Sequence, residues 1–375
     1  MRPIKMVDLE GQYQKIKSEI DNSIFEVLNK TDFINGEKVQ FFADQLAGYL
    51  GCNHVVTCAN GTDAIQITLM ALDIPRGSEV IVPSFCYVAA AEAVALLGLV
   101  PVFADVDENT FNVDANSVEP LITEKTRAII AVHLFGQSCD MLPLLKLAQK
   151  YNLFVIEDNA QSIGATYTLP DESKKMTGTI GHVGTTSFFP SKNLGCMGDG
   201  GAISVNDEQL AKKMKTIANH GQPTKYMHDE IGINSRLDTL QAAVLSVKLI
   251  YLNNYINKRQ INASLYDKYF SKLDIIETPY RFEKSTHVFH QYTLRIKNGK
   301  RDLLKEYLHK LSIPSMVYYP LPLHKQNAYK QFYKNQNLDI SERLSTEVIS
   351  LPMHTELDEE QIGFISQKII DFLAP

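Results

Sequence analysis

The chain is short of the features that mark several protein classes. Its 375 residues include five cysteines, none in a CxxC spacing. A reduced, cytoplasmic setting fits that usage, and no metal is expected. No apolar run reaches the length of a membrane span. The nearest, AAAEAVALLGLV (89–100), is short and interrupted by Glu92. The opening residues, MRPIKMVDLEGQYQ, lack a signal-peptide apolar region. Basic residues are outnumbered, 37 Lys and Arg against 43 Asp and Glu, for a net charge of −6. With no long basic run, nucleic acid is not an expected partner, and an anionic ligand needs a local positive site. Internal repeats and low-complexity linkers are also missing. What is present is ordinary for a soluble globular protein, 45% apolar and 21% charged residues. The length suits two domains, or one large domain with a smaller one.

The first half alternates strand-like and helix-like stretches. HVVTC (54–58), EVIVP (79–83), PVFAD (101–105), AIIAVHL (128–134), LFVIED (153–158), TTSFF (185–189) and GAISV (201–205) read as strands. Several are continuous apolar runs, as in strands buried on both faces of a sheet. TDAIQITLMAL (62–72), VAAAEAVALLG (88–98) and LPLLKLAQKYN (142–152) read as helices between them. This rhythm predicts an α/β fold with a mostly parallel, doubly wound sheet, whose ligands sit beyond the C-terminal strand ends. From about residue 237 the rhythm changes to a long helical stretch through Leu273. A strand, HQYTLRIK (290–297), and helices over 300–312 and 358–374 follow. The division expected is a large domain over 1–245 with an N-terminal helical arm, and a smaller α/β domain over 246–375.

Chemistry-bearing residues fall at predicted strand ends. Asp158 closes the strand in VIEDNAQSIGA, where an Asp also serves well as a helix N-cap. Glu157 points the other way along the strand, and Gln161 can reach the same space as Asp158. CANGTDAI (58–65) is a strand, a Gly turn and a helix start, whose free N–H groups attract phosphate; many ordinary turns look the same. Tyr87 follows another strand end and can stack on a flat ring or fill the core. Lys192 is the single cation in SFFPSKNLGCMGDGGA (187–202), a segment otherwise built for turns and close packing. Most lysines are solvated, but a desolvated one becomes a neutral amine able to form a Schiff base. A carboxylate, a phosphate cradle, a stacking ring and such a lysine together compose a pyridoxal phosphate site.

With these residues in view, the sequence resembles the DegT/DnrJ/EryC1/StrS sugar aminotransferases, within the fold-type I pyridoxal phosphate enzymes. The resemblance covers essentially the whole chain through CANGTDAIQI, VIEDNAQSIGA, TSFFPSKNLGCMGDGGA, NHGQ, IGINSRLDTLQAAVL, YYPLPLHKQ and SLPMH. It implies a mostly parallel seven-stranded sheet with helices on both faces and a smaller C-terminal α/β domain. It implies that Lys192 is the Schiff-base lysine, that Asp158 pairs with the pyridine nitrogen of pyridoxal 5′-phosphate, and that Gln161 lies near the ring's phenolic oxygen. Gly61, Thr62 and Ser187 match phosphate contacts, and Tyr87 takes the stacking position. Asn234 matches an asparagine that reaches the phosphate from a partner subunit, which implies a homodimer with shared sites. Arg236, Tyr319 and His324 match the region that contacts the sugar, and Arg236 and Lys325 are candidates for its diphosphate. Lys192 also separates the chain from the family's dehydratase branch, which has His there.

The implied reaction moves an amino group from L-glutamate to a nucleotide-linked keto-sugar, for surface polysaccharide synthesis. The branch most resembled aminates C3 of a UDP-linked 3-keto-hexuluronic acid, with Tyr318 standing where that branch has His. A dTDP-3-keto-6-deoxyhexose 3-aminotransferase and a cofactor-binding regulator without turnover are the alternatives. A cysteine desulfurase shares fold and cofactor but needs a reactive cysteine on a mobile loop, for which Cys196 is the nearest candidate.

Overall fold

The apolar runs become the central sheet because each can be covered on both faces. In this computed structural model, residues 2–271, 273–334 and 336–373 are described. The strands of the first half are β1 (His54–Cys58), β2 (Glu79–Pro83), β3 (Val100–Ala104), β4 (Thr126–Val132) and β5 (Phe154–Asp158). A small ribbon, β6 (Thr166–Thr168) and β7 (Lys174–Met176), precedes β8 (Val183–Ser187) and β9 (Gly201–Val205). Seven of them form one sheet in the order β1-β9-β8-β5-β4-β2-β3. Strand β9 runs antiparallel to both neighbours, and every other pairing is parallel. Parallel strands share one carboxyl edge, so Cys58, Pro83, Asp158 and Ser187 end on the same side of the sheet.

Helices cover the faces. The N-terminal arm is α1 (Leu9–Lys15), α2 (Lys17–Lys30) and α3 (Glu37–Leu50). Then come α4 (Gly61–Ala71), α5 (Ala89–Leu96), α6 (Ala115–Val118), α7 (Met141–Tyr151) and α8 (Glu208–Ala218). The buried side chains of β4, from Ala128 to Val132, contact elements on both faces of the sheet. Burying each Ile or Val there is worth about 1.5–3 kcal/mol. The strand expected over 185–189 instead spans Val183–Ser187. Phe188 leaves the sheet to pack edge-on against Phe42 in α3, at 5.5 Å between ring centres.

Helix α9 (Thr239–Phe270) is 32 residues long. Its first half, with Leu245, Leu249 and Leu252, packs beside Leu194 and Cys196 of the large core. Its last turns, with Ala263, Tyr266 and Phe270, belong to the core around β11 (Tyr292–Ile296) and β12 (Val348–Leu351). A division between residues 245 and 246 therefore falls inside one continuous helix. The second core is an antiparallel sheet of β10 (Ile276–Glu277), β11 and β12, covered by α10 (Arg301–Lys310) and α12 (Glu359–Leu373). Leu323, Tyr329, Leu338 and Leu344 of α11 (Asp339–Glu347) turn back onto the large core. Lys272 and Ala374, inside the helical stretches expected from the sequence, lie outside the described residues. Among the described residues no helix is long and apolar enough to cross a membrane, and no cluster of His, Cys, Asp and Glu is fit to hold a metal.

Candidate active site

The carboxyl edge of the sheet opens on a cavity of about 660 Å³. Lys192 enters it from the turn after β8, closed by the Lys192 N–H donating to the Phe189 carbonyl at 2.8 Å. Helix α9 holds this turn from behind. Lys248 Nζ donates to the Gly195 carbonyl at 2.7 Å, and the Gln241 amide exchanges two hydrogen bonds with the Met197 backbone. Lys192 is half-buried and lines the cavity. Burial pulls its amine down to about 8, partly offset by Asp158. Asp158 ends β5 and lines the same cavity; its carboxylate accepts from the Ala160 N–H at 3.0 Å. Burial raises its pKa, against the opposing pull of that hydrogen bond and of Lys192. A cationic N–H placed against it reverses the shift.

The cradle beside this pair is the start of α4. The Asn60 side chain caps the helix by accepting from the Asp63 N–H at 2.8 Å. The earlier amides of Gly61 and Thr62 remain available, as in any first helical turn. Ser187, at the end of β8, lies so close that a Cβ on Gly61 would sit 2.7 Å from the Ser187 Cβ. Glycine is required there by that approach. Gly61, Thr62 and Ser187 line the cavity together with Asp158, Gln161, Lys192 and Tyr87.

The remaining wall is aromatic and amide-rich. Tyr87 is 58% exposed, its ring open to one side. Gln161 is fixed at both ends, accepting from the Phe135 N–H at 2.8 Å and donating to the Tyr319 hydroxyl at 3.2 Å. Tyr319 and Tyr318 line the cavity as well. Glu157 faces away as the strand alternation requires. It accepts from Gly178, Ile180 and Gly181 N–H groups and meets His133 Nε2 at 2.8 Å, pinning the loop before β8.

Four expected residues lie elsewhere in this chain. His324 is buried, its Nδ1 2.7 Å from Ser84 Oγ and its Nε2 3.1 Å from Glu342. Both ring nitrogens are occupied by the protein, and Lys325 pairs with the same Glu342. Arg236 lines a separate cavity of about 520 Å³ with Lys212 and Lys215. Asn234 bridges to Asn219 in that neighbourhood. Conversely, Ser191, Asp199, His290 and Gln291 line the Lys192 cavity without having been singled out. His290 had one weak signal, its place at the head of a predicted strand. Cys196 is packed under the loop, its thiol 2.9 Å from the Phe188 carbonyl and pushed up to about 11 by burial. That environment disfavours the reactive thiolate a desulfurase needs.

The chemistry of this set fits pyridoxal 5′-phosphate. An amine of lowered pKa suits its aldehyde, a buried acid suits its ring nitrogen, and a crowded helix start suits its phosphate. Comparisons with known proteins agree. The chain is 43% identical over 372 residues to a pleiotropic regulatory protein of Geobacillus stearothermophilus, covering 98% of each chain. It is 44% identical over 362 residues to the UDP-2-acetamido-2-deoxy-3-oxo-D-glucuronate aminotransferase of Pseudomonas aeruginosa, covering 96% of this chain and 98% of that one. Its fold matches S. venezuelae DesV, solved in complex with a ketimine intermediate, with a TM-score of 0.95, 34% identity and full coverage of both chains. Residues 14–370 match the model of the DegT/DnrJ/EryC1/StrS aminotransferase family. By that match and those identities, the chain belongs to the DegT/DnrJ/EryC1/StrS aminotransferase family.

Proposed function

We propose that the protein transfers an amino group from L-glutamate to the keto carbon of a nucleotide-linked hexose, in the synthesis of a surface polysaccharide. One observation carries this reading: the Lys192 amine and the Asp158 carboxylate share one cavity, beside the start of α4. Bound pyridoxal phosphate supplies an electron-withdrawing ring that takes up the electron pair left when a C–H bond beside nitrogen breaks. The chain's own residues do the rest. Asp158 holds a proton on the ring nitrogen, because an opposite charge favours the protonated ring. Lys192 is the attachment point. Once free, its amine, lowered to about 8, would take the proton from the substrate carbon and return it to the cofactor carbon bonded to the other side of the same nitrogen. Gly61, Thr62 and Ser187 bind the phosphate, Tyr87 stacks on the ring, and Gln161 holds the phenolic oxygen side.

The second substrate occupies the open end of the cavity, near Tyr318 and Tyr319. Arg236 and Asn234 serve the neighbouring copy in a homodimer with shared sites. Support comes from their position outside their own chain's cavity and from the exposed apolar side chains Phe33, Phe189, Met197 and Ile231. The five cysteines, all unpaired, support a reducing, cytoplasmic setting. The name of the Pseudomonas relative favours a UDP-linked 3-keto-hexuronic acid as the sugar.

A panel of UDP- and dTDP-linked keto-sugars, incubated with L-glutamate and read by mass, tests the assignment. An amino-sugar product from the UDP-uronic substrate is expected; products from dTDP-sugars alone would move the assignment to that class. The name of the Geobacillus relative favours a second reading, a regulator that binds cofactor without turnover. Absence of any spectral change on adding L-glutamate to the loaded protein would support that reading instead.

A further inference from the structure

Residues 287–291, which lead into β11, are clamped from three sides. The Val288 N–H donates to the Gly136 carbonyl at 2.8 Å, and the Gln291 N–H to the Phe135 carbonyl at 3.3 Å. The Asn193 side chain, next to Lys192, donates to the Val288 carbonyl at 3.0 Å. Arg259 of α9 donates to the carbonyls of Phe289 at 2.9 Å, His290 at 3.4 Å and Met353 at 2.9 Å. Approach to the neighbouring turn is close. A Cβ on Gly136, itself at φ +113°, would lie 2.9 Å from the Phe289 nitrogen and 3.0 Å from that of His290. Phe289 is held at φ +46°, which costs a non-glycine residue on the order of 1 kcal/mol. The clamps hold this conformation, and it places His290 on the cavity wall with Lys192.

His290 is only 7% exposed. Its Nδ1 is enclosed and has no hydrogen-bond partner, which leaves Nε2 as the ring atom able to meet a molecule in the cavity. Burial, with the positive charges of Lys192 and Arg259, holds the imidazole well below its usual range. It is therefore neutral and carries one N–H. An enclosed N–H with no acceptor is costly, so that hydrogen belongs on Nε2.

Behind it, Arg259 is 4% exposed and meets only backbone carbonyls. Its Nε has no partner, and no carboxylate pairs with it among the described residues. Burial lowers it to about 10, still a cation at neutral pH. The field of an uncompensated buried cation reaches across the short, low-dielectric path through His290. Among the described residues, Lys192 is the only lysine or arginine on the cavity wall itself.

We propose that His290, backed by Arg259, is the subsite for the α-carboxylate of the amino donor, with Nε2–H donating to a carboxylate oxygen. In an α-amino acid that group is one bond from the carbon that reacts at Lys192. The assignment rests on the reading that the donor is an amino acid such as L-glutamate.

The test uses the cofactor-loaded enzyme and L-2-methylglutamate, which lacks the hydrogen the reaction removes. Binding is measured by calorimetry in wild type, His290→Phe and His290→Gln. His290→Phe, a ring without N–H, should bind about tenfold or more weakly, the worth of a hydrogen bond to a charged group. His290→Gln, whose amide N–H reaches the place of Nε2, should stay within about threefold. In parallel, the preference for L-glutamate over its α-amide should fall by about tenfold in His290→Phe. If His290→Phe fails to load cofactor, His290→Asn replaces it, its shorter amide stopping short of the Nε2 position. Affinity within about twofold of wild type, with the preference intact, overturns the subsite alone. No binding to wild type overturns the subsite together with the donor reading.

Discussion

Burial pulls the amines of both Lys192 and Lys248 down to about 8, yet their surroundings divide them. Lys248 is sealed inside α9's packing and spends its amine on the Gly195 carbonyl. Lys192 faces a cavity of about 660 Å³, shares it with Asp158, and makes no hydrogen bond through its amine among the described residues. Desolvation alone therefore does not mark the reactive lysine. An open path for a second molecule and a carboxylate across the gap distinguish it. The other lysine holds the loop that carries the first, and its low pKa is a by-product of burial.

The sharpest way to break this comparison is Lys192→Ala. Turnover should fall by about 10⁴ or more, and the absorbance of covalently held cofactor should vanish. Near wild-type turnover would mean the two lysines had been assigned the wrong way round. Next in size is Asp158→Asn, expected to slow the proton shift roughly a hundredfold or more, measured as the rate of spectral change with L-glutamate. The same substitution sharpens the electrostatics. Capture of pyridoxal phosphate by the cofactor-free protein needs the neutral Lys192 amine, so its rate should rise as pH climbs through about 8. Asp158 favours the ammonium, so its removal should move that midpoint lower; an upward move would contradict the pairing. The smallest effect is expected for Lys248→Met. It relieves a buried charge but leaves the Gly195 carbonyl unpaired, so stability should change by about 1–3 kcal/mol, read from chemical denaturation. Turnover should drop less than about tenfold with cofactor absorbance retained. A loss as deep as that of Lys192→Ala would dissolve the distinction.

The legible part of the site was the part built on strand ends. Asp158 stood out because a predicted buried strand ends at it, and alternation sent Glu157 the other way. Lys192 was visible as a lone cation in a turn-forming segment. Arg259 and Lys248 were hidden because they sit in α9, a long helix whose composition alternates like a solvated surface; nothing local says which turns will be covered. His290 was hidden because its importance comes from Gly136, Asn193 and Arg259, which approach it from distant parts of the chain. His324 shows the converse. Its place in the motif YYPLPLHKQ pointed to the sugar, but Ser84 and Glu342 take both of its ring nitrogens.

By itself the sequence determined the βαβ order, the shared edge where the strands finish, and the residue types standing on that edge. Those follow from hydrophobic period and turn chemistry, which act over a few neighbouring residues. Only the tertiary structure decided which amine would be open to a ligand, which histidine would be left with a free nitrogen, and which cation would stand behind it. Those outcomes depend on desolvation and on partners brought from far along the chain, and neither is written into any short stretch of residues.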